Sequence, residues 1–407
     1  MTQRVLSVAI VGALGLIGCG DSPEEPNLPL PTPTQQEAGA KMQSKVNDFV
    51  FRLINASTTP TTEGNVCIAP LSVSLCLSAL LNGASGSSIA DLETTLGYKG
   101  LSLQEVNDGS YAIVQGLLGS KGSPITVANS IWIRGDFKPK PAYVSSLSNY
   151  YRALLTPVKN FQKPTVDKIN AWTSEKTKER IPKLFDSLDP ATVVVLANAL
   201  TFDGKWSHPF KKQRTAQAAF HLANGDTIQV PRMFGNFEVP YYEAETWKAI
   251  RLPYQGEEFS MICVLPKESP IQWLRKQTSK SMSDLIQNLK SGGIDTPISI
   301  PRFNASYTLD LEAPLSNLGM GKLFKSIELN NLADFGPLKD QLSIGEAVHK
   351  TYIKVDEEGT EAAATGIGVK AAAFRGNFLA DRPFAYFIVH HKTNLVLFAG
   401  VCADPRS

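Results

Sequence analysis

The sequence has few of the residues on which metal sites, disulfide scaffolds and many enzyme active sites depend. Its 407 residues include only five cysteines and five histidines. No cysteine and histidine spacing is typical of a zinc site, and so few cysteines exclude a disulfide-dense scaffold. The G-x-x-x-x-G-K-[ST], H-E-x-x-H and G-x-S-x-G patterns are also missing. The sequence therefore gives no indication of these metal or enzyme classes, although the members of a catalytic triad can lie far apart in a chain.

A strong charge of one sign is missing too. The formal net charge is +2 and no block of lysine and arginine stands out, so nothing indicates a nucleic-acid partner. With 43% apolar and 19% charged residues, the balance is that of an ordinary globular protein. Residues 38–404 contain neither a Pro/Gly/Ser linker nor a repeat, which predicts one large domain.

The N-terminus has the pattern of an export signal. Arg4 precedes an apolar run over residues 5–18, which is short for a membrane span but suits a secretory signal. The run ends in the letters LIGC at residues 16–19. This ending resembles the bacterial lipobox, whose cysteine is lipidated and becomes the first residue of the mature chain. We therefore predict a lipoprotein signal peptide at residues 1–18 and a lipid anchor at Cys19.

The segment after the anchor is predicted to be a tether. Residues 21–37 are rich in proline and acids and show no apolar period, so we expect residues 19–37 to be extended. At about 3.1 Å per residue, such a tether would hold a domain roughly 50 Å from a membrane. The protein would then be an exported, membrane-anchored lipoprotein that faces the periplasm or the cell surface. The alternative is a plain signal peptide, cut near Gly18 or Gly20, with an incidental cysteine.

Hydrophobic periodicity predicts helices in the first part of the domain and mostly strands later. Helices are expected at residues 40–57, 70–84, 166–181 and 282–292. Strands are expected at residues 125–134, 191–202, 247–254, 259–266, 297–303, 383–390 and 394–401. Helices followed by strands indicate an α+β fold with large sheets rather than a series of βαβ units.

The cysteines and histidines of the domain are expected to be structural. Buried free thiols are predicted at Cys67, Cys76, Cys263 and Cys402. The adjacent His390 and His391 lie in a strand pattern, so their rings point to opposite faces and cannot chelate one metal ion. We expect both histidines at the surface or at a sheet edge.

The run from residue 355 to residue 378 consists mostly of alanine, glycine and threonine. Its glycines cost a helix about 1 kcal/mol each, so a long helix is not expected. In a strand, one face would carry only small residues, namely Thr360, Ala362, Ala364, Gly366 and Gly368. Such a face suits a strand that must slide beneath covering structure in a packed protein. The alternative is a flexible linker with small residues by chance.

Several longer motifs resemble segments of the serpin family. They are VDEEGTEAAATG from residue 355, FLADRPFAYFIVHHKTNLVLFAGVCADP from residue 378, NALTFDGKWSHPF from residue 198 and NVCIAPLSVSLCLSALLNGASG from residue 65. The resemblance is collinear and implies an α+β serpin domain at residues 38–407 with three β-sheets and eight or nine helices. It further implies an exposed reactive-centre loop at about residues 357–378 and a monomeric protease inhibitor without a cofactor, rather than an enzyme.

The resemblance also implies roles for individual residues. The hinge of the loop would comprise Glu357, Glu358, Gly359, Thr360, Glu361, Ala362, Ala363, Ala364, Thr365 and Gly366. The residues that control opening of the central sheet would be Arg302, Trp206, Asn198, His349 and Ser72. In this comparison Glu357 pairs with Arg302, and Asn198 forms a hydrogen-bonded pair with His349. Ala69 departs from the family pattern, which usually has serine there, and removes one hydroxyl from this network.

By the same resemblance the protein would trap a serine protease, with cysteine proteases as a further class, in a covalent 1:1 complex. The cut loop would insert into the central sheet and distort the oxyanion hole of the bound protease. Counting along the loop places the reactive bond at Ala373–Phe374, or alternatively at Ala372–Ala373, which favours elastase- or subtilisin-like targets. A cut after Phe374 or Arg375 would favour chymotrypsin- or trypsin-like targets instead. A non-inhibitory serpin that acts as a carrier or chaperone is the competing class.

Overall fold

The computed structural model describes residues 4–14, 29–120, 123–289, 293–359 and 376–406. For residues 4–14 it describes the course of the backbone. Nine α-helices lie within these ranges, a number that confirms the sequence-based expectation. They are α1 (Pro33–Ser57), α2 (Pro70–Gly83), α3 (Ser87–Leu96), α4 (Leu103–Leu118), α5 (Pro141–Tyr151), α6 (Lys163–Lys176), α7 (Pro270–Arg275), α8 (Ser279–Asn288) and α9 (Glu312–Leu315).

The strands of the described residues form a six-stranded, a nine-stranded and a two-stranded sheet. All seven strands predicted from hydrophobic runs are present. The strands are β1 (Arg4–Leu14), β2 (Val66–Ile68), β3 (Ile125–Arg134), β4 (Lys138–Pro139), β5 (Ala153–Val158), β6 (Thr192–Phe202), β7 (Thr215–His221), β8 (Thr227–Glu243), β9 (Trp247–Pro253), β10 (Phe259–Pro266), β11 (Gly293–Pro301), β12 (Phe303–Asp310), β13 (Ala333–Asp334), β14 (Leu342–Val355), β15 (Phe378–Leu379), β16 (Phe384–His390) and β17 (Leu395–Cys402). The α+β class is therefore confirmed.

The six-stranded sheet, called the central sheet below, has the order β12-β14-β1-β6-β3-β5. Every residue of β6 is buried, which explains its unbroken apolar sequence. The nine-stranded sheet is dominated by β10, β16 and β17, which are also buried along their whole lengths. Helix α2 is buried throughout and packs against both β6 and β17. This helix therefore joins the two large sheets into one core.

Helix α1 begins earlier than the sequence analysis predicted. Thr32 forms a capping box with Gln35: its hydroxyl accepts from the Gln35 N–H at 3.3 Å, and its own N–H donates to the Gln35 side chain at 3.0 Å. Pro33 occupies the first turn, where its missing N–H is not needed. The prediction of an extended tether is therefore wrong for residues 33–37, because proline fits the first turn of a helix as well as an extended chain.

Strand β1 lies in the middle of the central sheet, where no strand was predicted. It pairs in parallel with β14 on one side and with β6 on the other. Ile10 is opposite both His349 of β14 and Asn198 of β6. The removal of residues 1–18 as a signal peptide stays a prediction.

The predictions about cysteine hold for the described residues, and one about histidine does not. Cys67, Cys76, Cys263 and Cys402 are buried and free. His390, which was expected at the surface or an edge, is fully buried, with its Nδ1 at 2.9 Å from the Thr393 hydroxyl. His390 is the last residue of strand β16, which lies between β10 and β17 and is buried along its whole length. Over the described ranges, no group of histidine, cysteine and carboxylate side chains could hold a metal ion, and no helix could cross a membrane.

Candidate functional site

The candidate site is the region where β14 ends and the predicted loop begins. Residues 356–359 form a tight turn in which Asp356 and Gly359 exchange backbone hydrogen bonds of 3.2 and 3.3 Å. Gly359 has φ of +118°, a conformation that L side chains rarely adopt. A Cβ at this position would lie 2.4 Å from the Trp206 nitrogen and 2.6 Å from the Gly204 oxygen. Both the backbone angle and the close approach therefore require glycine.

The predicted pairing of Glu357 with Arg302 is present in the structure. The Arg302 Nε atom donates to both carboxylate oxygens of Glu357, at 2.7 and 2.8 Å. The Thr215 hydroxyl donates to the same carboxylate, and Glu357 is only 2% exposed. Burial by itself would raise the pKa of Glu357, but the hydrogen bonds from Arg302 and Thr215 outweigh it and hold the pKa below its ordinary value. The buried carboxylate is therefore ionised at neutral pH.

Trp206 holds the backbone of the same turn. Its backbone N–H donates to the Glu358 carbonyl at 3.0 Å, and its indole Nε1–H donates to the Asp356 carbonyl at 3.0 Å. The indole stacks on the Tyr254 ring with centroids 4.5 Å apart and an interplanar angle of 10°. The Phe210 N–H donates to the Glu357 carbonyl at 2.8 Å. The backbone carbonyls of residues 356–358 are thus held by hydrogen bonds from Trp206 and Phe210.

Each of the three acids at the start of the hinge has its own cation, of which sequence reasoning found one. Besides the Glu357 pair, Lys354 lies 3.0 Å from Asp356, and Lys212 contacts Glu358. Lys212 precedes β7 by only three residues and Lys354 belongs to β14. The letters DEE signalled three anions. Lys354 lies two residues from its partner Asp356 in the chain, whereas Arg302 and Lys212 come from distant segments whose approach only the fold determines.

Three of the residues predicted to control sheet opening are fully buried: Asn198 on β6, His349 on β14 and Ser72 on α2, which packs against β6. The Ser72 hydroxyl donates to the Asn198 Oδ1 atom, and Asn198 Nδ2 donates to the Asn129 side chain at 2.5 Å. Asn129 was missed by the sequence analysis; its position opposite Asn198 follows from the register of β3 and β6. This cluster ties α2 to two strands on one side of β1.

His349 lies on the other side of β1. Its Nε2 atom accepts from the Ala69 backbone N–H at 3.0 Å, so this nitrogen is unprotonated. Ala69 precedes α2, and the bond therefore joins β14 to the start of that helix. Because β1 separates β14 from β6, the backbones of His349 and Asn198 lie two strand spacings apart, about 10 Å, rather than on adjacent strands.

The remaining predicted functional residues lie outside the described residues. They are Thr360, Glu361, Ala362, Ala363, Ala364, Thr365 and Gly366 of the hinge, the reactive-bond candidates Ala372, Ala373 and Phe374, and the lipid-anchor candidate Cys19. Their predicted roles stay predictions. What the structure gives is the point from which the loop starts, fixed by the Glu357 and Trp206 contacts.

These features define a class of protein. The central sheet accommodates a strand between two mutually parallel strands, and the chain leaves one of those two strands through a charged, anchored hinge. The class is that of α+β proteins whose central sheet leads directly into an anchored hinge.

The chain belongs to the serpin family: residues 44–405 match the family model described as "Serpin (serine protease inhibitor)". Members of this family are generally protease inhibitors. A protein of the jellyfish Cyanea capillata named serine protease inhibitor is 31% identical over 391 residues, which cover 90% of this chain and 100% of that protein. The bovine (Bos taurus) leukocyte elastase inhibitor is 31% identical over 382 residues, which cover 88% and 97%. The native-state crystal structure of the thermophilic serpin tengpin superposes with a TM-score of 0.79 at 30% identity and covers 89% and 94%.

Proposed function

We propose that this chain is a single-use inhibitor of serine proteases. The target would cut the loop that follows the hinge, and its nucleophile would form an ester with the residue before the cut. Insertion of the loop between β6 and β14 would then carry the acyl-enzyme to the far end of the sheet. Distortion of the protease oxyanion hole would remove several kcal/mol of stabilisation from the deacylation step. The covalent 1:1 complex would therefore persist.

One observation supports this proposal above the others. Between β6 and β14 the central sheet has room for a whole strand, and both flanking strands offer their backbone groups to it. Arg302 and Trp206 hold the hinge at the end of this gap, directly after β14. A cut loop would reach the gap by reversing direction after Val355, once β1 has left it.

We further propose a target with a small specificity pocket. Both reactive bonds derived from the sequence, Ala372–Ala373 and Ala373–Phe374, place alanine before the cut. An elastase- or subtilisin-like pocket accepts alanine, whereas a trypsin-like pocket requires a cation. The similarity to a protein named leukocyte elastase inhibitor supports this choice. The proposed location is outside the cytoplasm, on a lipid anchor at Cys19 after removal of residues 1–18.

The test is incubation of residues 19–407 with elastase, subtilisin, chymotrypsin and trypsin. We expect SDS-stable complexes with elastase or subtilisin and a released peptide that begins at Ala373 or Phe374, as read by mass spectrometry. Elastase with a blocked active-site serine serves as the control and should give no complex. Complete loop cleavage without any SDS-stable complex, with all four enzymes, would contradict the proposal and favour the carrier class.

A further inference from the structure

The gap in the central sheet is occupied in the full chain, and the occupant is the chain's own N-terminal segment. Residues Arg4–Leu14 form β1, which pairs with β6 on one side and β14 on the other. The pairing extends from Arg4 opposite Leu342 to Leu14 opposite Phe202. The segment therefore spans almost the whole height of the gap.

The sequence of this segment suits the position. RVLSVAIVGAL is nearly continuous in apolar residues after Arg4, as expected of a strand in the interior of a sheet covered on both faces. Strand β6, its neighbour, is buried at every residue. A short apolar run thus meets two requirements at once: it fits a secretory signal and it fits a central strand.

The direction of β1 distinguishes it from any segment that follows β14. A chain that leaves β14 at Val355 and turns back into the sheet must run antiparallel to β14, whereas β1 runs parallel to it. The two cannot share the gap, because each would need the same backbone donors and acceptors of β6 and β14. Occupation by one segment therefore excludes the other.

Whether β1 keeps the loop out of the gap depends on whether the signal peptide has been cleaved from the domain. The predicted cut before Cys19 lies only four residues after Leu14, so it would separate β1 from the domain. Without the cut, residues 15–28 join β1 to the start of the described domain, and the occupant stays at high effective concentration. The state of this one peptide bond decides whether the occupant of the gap is tethered or can leave.

We propose that Arg4–Leu14 is a built-in occupant of the insertion gap and that the unprocessed chain is consequently a protease substrate without inhibitory activity. This inference rests on the proposed inhibitory function, whose regulation it describes. Removal of residues 1–18 would vacate the gap for the cut loop. A precursor that fails to be exported would then be harmless to proteases of its own compartment.

The test compares the full chain with a variant whose first strand cannot pair. Val8→Pro with Val11→Pro removes one backbone donor toward each neighbour, because residues an odd number apart in a strand face opposite neighbours. Ser22→Pro with Asn27→Pro is the matched control, since it adds two prolines outside β1. A deletion of residues 4–14 is the second variant. All are made by cell-free translation without membranes, so that residues 1–18 stay attached, and intact mass verifies this.

Two measurements are made on each protein: the yield of SDS-stable complex with elastase, and the melting temperature before and after the loop is nicked. We expect at least tenfold more complex from the Val8/Val11 variant and the deletion than from the full chain and the Ser22/Asn27 control. We also expect nicking of the loop to raise the melting temperature only in the Val8/Val11 variant and the deletion. Equal complex yields, or equal gains on nicking in all four proteins, would overturn the inference. If nicking raises the melting temperature only in the Val8/Val11 variant and the deletion but no protein forms a complex with elastase, the result would support occupancy of the gap by β1 and contradict the inhibitory function.

Discussion

At the scale of single residues, the hinge is held by a buried carboxylate with a full set of partners. Glu357 accepts from Arg302 and from Thr215, while its backbone carbonyl accepts from Phe210. A buried ion pair of this kind adds little net stability, but loss of one member leaves an uncompensated charge. The arrangement therefore controls where the loop starts more than how stable the whole domain is.

Replacing Arg302 by alanine is expected to lower the free energy of unfolding by about 1–3 kcal/mol, less than for a fully buried pair because the Arg302 side chain is 42% exposed. Urea unfolding of residues 19–407 measures this. Asp167→Asn, which breaks the exposed pair with Lys163, is the matched control and should cost at most about 0.5 kcal/mol. Equal losses in the free energy of unfolding would show that the Glu357–Arg302 pair contributes no more to stability than an exposed pair does.

The pH dependence of this effect has a definite sign. The pKa of Glu357 in the folded protein lies below its ordinary value of 4.5, so its contribution to stability is present above that pH and is lost as the pH falls through the folded pKa. The difference in unfolding free energy between wild type and Glu357→Gln is therefore expected to be full at pH 7 and to shrink below pH 4.5. A difference that stays constant down to pH 3 would contradict the assigned ionisation.

Gly359→Ala is expected to destabilise the hinge by about 1–3 kcal/mol, because φ is positive and the new Cβ would meet backbone atoms of the Trp206 segment. Gly116→Ala is the matched control: no atom lies within 4 Å of its Cβ position and it lies in α4, so that change should be neutral or stabilising. Thermal unfolding of both variants decides the matter. A Gly359→Ala protein as stable as Gly116→Ala would refute the strained turn.

At the scale of elements, the predicted hinge strand has one face of small residues and one that accepts larger groups. Thr360→Arg places a long charged group on the small face, so we expect normal cleavage by elastase but at least tenfold less SDS-stable complex. Thr365→Arg makes the identical change on the other face and should retain the complex. Gel densitometry compares the two. Loss of complex in both variants, or in neither, would contradict insertion of the loop as a strand with this alternation.

At the scale of the whole molecule, an inhibitory and a non-inhibitory serpin are expected to differ in how much cleavage of the loop raises the melting temperature. A strand inserted between β6 and β14 would gain roughly ten hydrogen bonds, on the order of 10 kcal/mol in total. For residues 19–407 this is expected to raise the melting temperature by 10 °C or more. Calorimetry before and after limited elastase digestion measures the gain. No gain would support a carrier or chaperone function.

Much of this protein was determined by local sequence. Apolar runs predicted seven strands of the two large sheets but not β1, β8 or β14, and the resemblance of the motifs around Glu357, Trp206 and Asn198 to serpin segments identified the site. The start of α1 was missed because Pro33 suits both an extended tether and a first helical turn. The decision between the two depends on the Gln35 side chain reaching back to Thr32, which is a matter of geometry.

Only the tertiary structure decided which distant groups meet. Asn129, Thr215 and Lys212 carry no local signal for their roles, because pairing across a sheet is set by register and by the packing of the whole domain. The same holds for Arg4–Leu14. By sequence alone this apolar run predicted an export signal; that it fits between β6 and β14 depends on two parallel edges that exist only in the folded sheet.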